Sequence, residues 1–150
     1  MRLTRRDALV VLGGLAAGTG ATAANRSGGD RGAETAARRV DAATAVAEVV
    51  YPTAVTVDRE FVETFLFGRV EPVPGHFEGL AAAIDETERF ARSRYGGRLS
   101  SLSPSERRDA LESMGVYAVH ANPEGTTAER VRHYLVNDLL YALFTHPKGE

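Results

Sequence analysis

Apolar residues recur at three- and four-residue steps over most of residues 40–147, a spacing that predicts helices. The longest amphipathic run covers residues 77–95 and stops at a pair of glycines. No segment of useful length alternates with period two. Residues 53–57 alone have a strand-like composition, which leaves a two-stranded ribbon open. The pattern therefore predicts an all-α fold, a small bundle of about five helices.

Helix start and stop signals support this division. Asp58 is placed as the N-cap of a helix that ends at Gly68. Ser103 and Thr126 each precede a glutamate by three residues, which is the spacing of a capping box. Gly115 is placed to end its helix in the left-handed conformation, so that the next residue folds back on the last turn.

The last helix, from about residue 127 to 144, is apolar nearly all round. Such a helix is buried on all sides. One interpretation is a central core helix. The other is a helix with one face on its own core and another face on a partner subunit.

Regular helical spacing separates the two faces of this last helix. Leu135, Leu139 and Ala142 follow an i, i+4, i+7 spacing and are predicted to face the chain's own core. Within the same apolar helix, the polar pair Asn137-Asp138 either bonds to a neighbouring loop or contacts a partner. The candidate partner interface consists of the residues predicted to point elsewhere and this polar pair: Val136, Asn137, Asp138, Leu140, Leu143 and Phe144.

The N-terminus has the layout of an export signal. Arg5 and Arg6 directly precede an uncharged run, residues 8–25, that is rich in Ala, Gly, Val and Leu. The paired arginines ahead of a mildly apolar segment resemble a twin-arginine signal, and small residues at 21–23 suit a signal peptidase. An uncleaved anchor and a disordered N-terminus remain alternatives.

We accordingly divide the chain into three parts. Residues 1–25 are predicted to be a twin-arginine signal peptide. Residues 26–39 are rich in Gly, Arg and Ala, carry few large apolar side chains and are predicted to be a flexible linker. Residues 40–150 are predicted to be the helical domain.

Composition narrows the chemistry. The 150 residues suffice for one domain, and the absence of cysteine excludes disulfides, zinc–cysteine sites, iron–sulfur clusters and a thiol nucleophile. The formal net charge is −2 without a strong basic stripe, which argues against a nucleic-acid partner. None of the four histidines pairs with another at helical spacing. No catalytic, cofactor-binding or metal-binding residue is therefore expected on this chain.

Three segments carry a family resemblance. The twin-arginine start, the string VAEVVYP at 46–52 and the string AERVRHYLVNDLLYALFT at 128–145 resemble the gluconate 2-dehydrogenase subunit 3 family. Members of this family are small subunits of flavin-dependent, membrane-associated sugar and sugar-acid dehydrogenases. The Arg-rich composition, with Lys148 as the single lysine, is most similar to versions from halophilic archaea.

The resemblance implies a non-catalytic accessory subunit. In the family, the large subunit holds FAD and oxidises the substrate, and a cytochrome subunit, where present, takes the electrons. The small subunit carries the export signal and helps its partner mature. The implied partners are the FAD-dependent large subunit, such a cytochrome subunit and the twin-arginine translocase. The implied location is the extracytoplasmic face of the cell membrane or a periplasm-equivalent space.

Two other function classes stay open at this point. One is a stand-alone exported helical binding module without a dehydrogenase partner, and the other is an enzyme in its own right. A neighbouring reading frame that encodes a large flavin-binding oxidoreductase would favour the accessory subunit over the binding module.

The export signal generates the first prediction. Replacing both Arg5 and Arg6 with lysine should abolish export, because they are the only adjacent basic pair before the apolar run. Cell fractionation followed by immunoblotting measures the outcome. Undiminished export of the double variant would contradict the twin-arginine interpretation.

Overall fold

The computed structural model describes residues 27–146, and this part of the chain is helical without a strand. None of its helices combines the length and the apolar character that a membrane span needs. A short 3₁₀ turn occupies Leu99–Ser101. The helices, in chain order, are α1 (Ser27–Val50), α2 (Arg59–Phe67), α3 (His76–Tyr95), α4 (Pro104–Ser113) and α5, which consists of the consecutive segments Thr127–Val131, Arg132–Val136 and Asn137–Thr145. The predicted all-α bundle of about five helices is confirmed.

The predicted helix starts are confirmed in atomic detail. The carboxylate of Asp58 accepts a backbone N–H bond in the first turn of α2 at 3.0 Å. Ser103 and Glu106 form a reciprocal capping box, in which the hydroxyl accepts from Glu106 N at 3.2 Å and the carboxylate accepts from Ser103 N at 2.9 Å. Thr126 and Glu129 form the same box at the start of α5. These side chains satisfy N–H groups that have no partner within the helix.

The end of α4 also follows the prediction. Gly115 has a φ of 80°. Its N–H donates to Glu112 O at 2.9 Å, and Val116 N–H donates to Leu111 O at 3.1 Å. This pair of bonds is a Schellman motif, in which the glycine relieves the steric cost of the left-handed conformation. Val116 and Leu111 are both buried in the core, so the motif turns the chain back toward the bundle.

The predicted flexible linker at residues 26–39 is wrong from residue 27 onward, because α1 begins at Ser27. Ala36 and Arg39, which fall within the predicted linker, are buried. Alanine has the highest helix propensity, and its small side chain lets neighbouring helices approach closely. The shortage of large apolar residues therefore did not mark a linker: residues 28–35 form helix with no buried side chain, and close packing begins at Ala36.

Helix α1 lies at the centre of the bundle and contacts α2, α3, α4, the 3₁₀ turn and α5. Five alanines of its central turns are buried, together with Val40 and Val46. Just beyond its C-terminus, the buried Tyr51 hydroxyl donates to Leu139 O at 2.6 Å. Burial raises the pKa of Tyr51 to about 12, so the phenol remains a donor across the physiological range. This bond ties the end of α1 to α5.

Two buried arginines tie further elements together. Arg39 of α1 makes a two-point contact with the carboxylate of Asp85 on α3, at 2.9 and 2.7 Å. Arg107 of α4 donates to the carbonyl of Leu99 at 2.8 Å and pairs with Glu48 of α1. Because an arginine offers several donors in a fixed planar arrangement, each side chain fixes the relative position of the elements it joins.

Helix α5 contains a π turn that the sequence pattern did not predict. Over Arg132–Val136 the hydrogen bonding widens, and Asn137 N–H donates to Arg132 O instead of to a carbonyl four residues back. One extra residue in a turn rotates everything after it by about 100° relative to a regular helix. The second half of α5 is therefore offset relative to the first half, although Leu139 and Ala142 still face the core.

A glycine on α3 makes room for this turn. A Cβ added at Gly79 would overlap the ring of Tyr134, which lies within the π turn. The same ring lies 5.4 Å from the imidazole of His76, measured between centroids. The Gly79 notch thus lets α5 approach α3 at the point where its hydrogen bonding changes.

The notch generates the second prediction. Gly79→Ala should lower the free energy of unfolding by about 1–3 kcal/mol, because the new methyl group overpacks against Tyr134. Gly29→Ala is the matched control, since a Cβ at that helical position meets open space and should stabilise by up to about 1 kcal/mol. Urea denaturation followed by circular dichroism measures both. Equal stability of the two variants would contradict the notch.

Candidate functional site

Exposed apolar side chains concentrate in two neighbouring elements. Tyr141 and Phe144, on the second half of α5, are 56% and 80% exposed. Val70 and Val73, on the loop between α2 and α3, are also largely exposed. Single exposed apolar residues are ordinary, but a group of them on one part of a folded surface marks a candidate contact region.

The π turn decides how the predicted interface residues are placed. Val136, predicted to point away from the core, is only 1% exposed, so its assignment to a partner interface is wrong. Leu140 and Leu143 are half-buried and pack against the core. Val136 lies within the π turn itself, whereas Leu140 and Leu143 follow it and are offset from their regular direction by the extra residue. Asn137 and Phe144 remain exposed.

The predicted core positions of α5 are confirmed. Leu135, Leu139 and Ala142 are fully buried. Leu135 lies within the π turn, and the other two follow it. The buried stripe is wide enough to include both the residues predicted from regular spacing and those brought in by the rotation.

The sequence pattern missed Tyr141. This residue forms an exposed stripe with Asn137 and Phe144, at spacings of four and three residues within the regular segment after the turn. The interface prediction named Leu140 and Leu143 instead. At about 100° per residue, Tyr141 already lies about 120° away from Leu135 and about 160° away from Leu139, so regular spacing would have identified it.

Two rows of rings come together at the junction of α2 and α5. Phe65 of α2 meets Tyr141 edge to face with centroids 6.0 Å apart, and Phe61 meets the ring of His146 at 4.8 Å. Phe61 and Phe65 lie 5.9 Å apart on α2. We call the set Phe61, Phe65, Tyr141 and Phe144 the aromatic face.

A charged cluster next to the aromatic face joins α5 to the α2–α3 loop and to the start of α3. Asp138 accepts hydrogen bonds from Arg69 Nη2 and His76 Nε2, each at 2.7 Å and both to Oδ2. The side chains of Asp138 and His76 are only 13% and 7% exposed. The two residues of the Asn137-Asp138 pair therefore have different roles. Asp138 bonds within the chain, to the α2–α3 loop and to the first residue of α3, whereas Asn137 lies at the surface.

Arg69 connects this cluster to the aromatic face. While its Nη2 bonds to Asp138, its guanidinium carbon lies 5.4 Å from the centroid of the Phe65 ring. An arginine over an aromatic ring gains a cation–π attraction in addition to its ion pair. Asp138 contacts Arg69, Arg69 lies over Phe65, and Phe65 packs against Tyr141. The charged cluster thus helps to position both Phe65 and Tyr141 of the aromatic face.

The structure also brings together histidines that are far apart in sequence. The rings of His76 and His133 lie 6.5 Å apart, and His133 packs edge to face against Tyr134 at 4.7 Å. Sequence spacing gave no signal for this approach, because the residues lie on different helices. Within residues 27–146 no group of three or more His, Cys, Asp or Glu side chains is arranged to hold a metal ion.

The candidate export residues Arg5 and Arg6 lie outside the described residues, so the twin-arginine interpretation stays a prediction. The same holds for the signal peptide as a whole, residues 1–25. The first described helix starts at Ser27, C-terminal to the predicted small-residue cleavage segment at 21–23.

A scan against protein-family models finds no match for this chain, and searches of curated proteins and of solved structures find none either. The functional proposal therefore stands on this chain's own residues and on the resemblance described above.

The charged cluster generates the third prediction. Asp138→Asn should lower the free energy of unfolding by about 3 kcal/mol, because Arg69 and His76 lose the buried carboxylate that both contact. Asp109→Asn is the matched control. Its side chain is about half exposed, its ion pair with Arg94 is open to water, and an asparagine oxygen can still accept the hydrogen bond from the exposed Tyr95 hydroxyl, so stability should change little. Thermal and urea denaturation compare the two, and equal effects would contradict the structural role of Asp138.

Proposed function

We propose that this chain is the non-catalytic small subunit of an exported, FAD-dependent oxidoreductase complex of the gluconate 2-dehydrogenase kind. In this proposal the aromatic face is the surface that docks on the catalytic subunit. The observation that carries the proposal is the 80% exposure of Phe144, next to Tyr141, on the helix that bears the longest string of family resemblance.

Energetics support a docking role for this face. Fully burying a phenylalanine side chain stabilises an association by about 1.5–3 kcal/mol. Aromatic residues are enriched at protein interfaces, and a few of them usually carry most of the binding energy. Phe144 and Tyr141 together therefore offer a strong anchor for a partner with a complementary apolar pocket.

The rigidity of the face supports the same role. Tyr141 packs against Phe65, Phe65 packs under Arg69, and Arg69 is ion-paired to Asp138. A surface that is already ordered loses little conformational entropy when a partner binds. The contacts that position the aromatic face thus favour tight docking without any rearrangement of the bundle.

In this proposal, export, substrate oxidation and electron acceptance belong to different subunits of the complex. Arg5 and Arg6 would direct the assembled, folded complex to the twin-arginine translocase, and the complex would act on the extracytoplasmic side of the membrane. FAD would reside on the large subunit, which would perform the oxidation. A cytochrome subunit, in complexes that include one, would accept the electrons.

The docking surface generates the fourth prediction. The double variant Tyr141→Ala/Phe144→Ala should co-purify at least tenfold less well with the flavoprotein encoded beside it, because the anchor is removed. Since both side chains are mostly exposed, stability should change by no more than about 0.5 kcal/mol per site. Leu139→Ala is the control. It should lower the free energy of unfolding by about 2–5 kcal/mol, because Leu139 is fully buried.

Two outcomes would contradict the proposal in different ways. Undiminished co-purification of the double variant would exclude the aromatic face as the docking surface. The absence of any flavin-containing oxidoreductase, both in the neighbouring reading frame and in the wild-type co-purification, would favour a stand-alone exported binding module.

A further inference from the structure

A groove lies along the second half of α3 and shares no residue with the charged cluster of Asp138. It has a volume of about 500 Å³ and runs between the second half of α3, the end of α4 and the start of α5. Ligand-binding pockets fall in the range of about 300–1,000 Å³. Its size therefore suits a small organic molecule rather than a protein segment.

The charges along the groove are unevenly compensated. Glu86 is ion-paired with Arg130 at 2.6 Å, and Asp85, one residue earlier on α3, is held by Arg39. These are the acidic residues that precede Arg89 by one helical turn. Arg89 also lines the groove and has no hydrogen bond or ion pair with any residue in 27–146. Of the two charged side chains that line the groove, Glu86 is paired with Arg130 through Oε1 while its Oε2 is buried without a partner, and Arg89 is the one that has no ion pair in the described residues.

Polar and apolar groups surround this charge. Ser93 on α3 and Ser113 at the end of α4 contribute exposed hydroxyls from two walls, and neither has a hydrogen-bond partner in the described part of the chain. Phe90 and Met114 are half-buried and provide apolar contact area. A thioether side chain such as that of Met114 adapts to ligands of different shape.

A second, smaller crevice in the fold has no unpaired arginine. It measures about 160 Å³ and contains Arg59 and Arg107. Arg59 is already paired with Asp41 and Glu63, and Arg107 is paired with Glu48. Each arginine there serves the fold, whereas Arg89 is available to a ligand.

We propose that the groove binds a small organic carboxylate, whose carboxylate group pairs with Arg89 and whose apolar body lies on Phe90 and Met114. A guanidinium group recognises a carboxylate through two parallel N–H···O bonds, which gives both charge and geometric selectivity. Ser93 and Ser113 would donate further hydrogen bonds. This site is separate from the aromatic face and does not depend on the function proposed above.

The test uses benzoate as the carboxylate probe, benzamide as its neutral counterpart and benzylamine as its cationic counterpart. Titrations of the full chain are followed by ¹H–¹⁵N NMR. Benzoate should shift the amide signals of residues 86–93, 113–114 and 127, and it should bind at least tenfold more tightly than benzamide. Benzoate shifts elsewhere, or equal affinity for benzamide or benzylamine, would overturn the proposal.

Variants of two arginines on the same helix complete the test. Arg89→Gln should weaken benzoate binding at least tenfold, and Arg92→Gln should leave it unchanged, because Arg92 is exposed but does not line the groove. Circular dichroism should show both variants folded, since neither side chain is buried. Equal benzoate affinity of wild type and Arg89→Gln would overturn the assignment.

Discussion

The π turn in α5 is the constraint on which the arrangement of the bundle depends most. One extra residue between Arg132 and Val136 rotates the rest of the helix by about 100°. Val136 lies within this turn and is buried, while in the segment after it Leu140 and Leu143 pack against the core and Tyr141 and Phe144 lie outside. In the same segment, the carboxylate of Asp138 reaches both Arg69 and His76. The core positions of α5, the charged cluster and the aromatic face thus all include residues within or directly after this turn.

Neighbouring contacts offset the cost of this turn. A π turn has less favourable hydrogen-bond geometry than an α turn and persists where tertiary contacts favour it. Here the notch at Gly79 receives Tyr134, and Tyr51 bonds to the carbonyl of Leu139 in the regular segment that follows. The ion pairs of Asp138 lie between these two points in sequence. Each contact stabilises the helix in the position that it takes around the turn.

The features that sequence predicted well are local ones. A capping box needs only a hydroxyl and a glutamate three residues apart, so Ser103 and Thr126 could be identified without knowledge of the fold. The prediction of a linker was wrong and the π turn was missed because both features depend on contacts between residues far apart in sequence. The helix over the predicted linker is anchored by Ala36 and Arg39, which are buried against distant segments. The π turn is held by contacts of Gly79 and Asp138 with residues far away in sequence. The spacing of apolar residues along the chain carries no information about such distant contacts.

The arrangement of α5 reconciles an apolar last helix with a small exposed apolar surface. The interface prediction placed four large side chains, Val136, Leu140, Leu143 and Phe144, away from the core. An isolated subunit with that surface would expose a large apolar patch and tend to aggregate. In the observed arrangement three of them pack inward, and the exposed apolar area on α5 is reduced to Tyr141 and Phe144. Two aromatic side chains are enough to anchor an interface and few enough for the bundle to fold before it meets a partner.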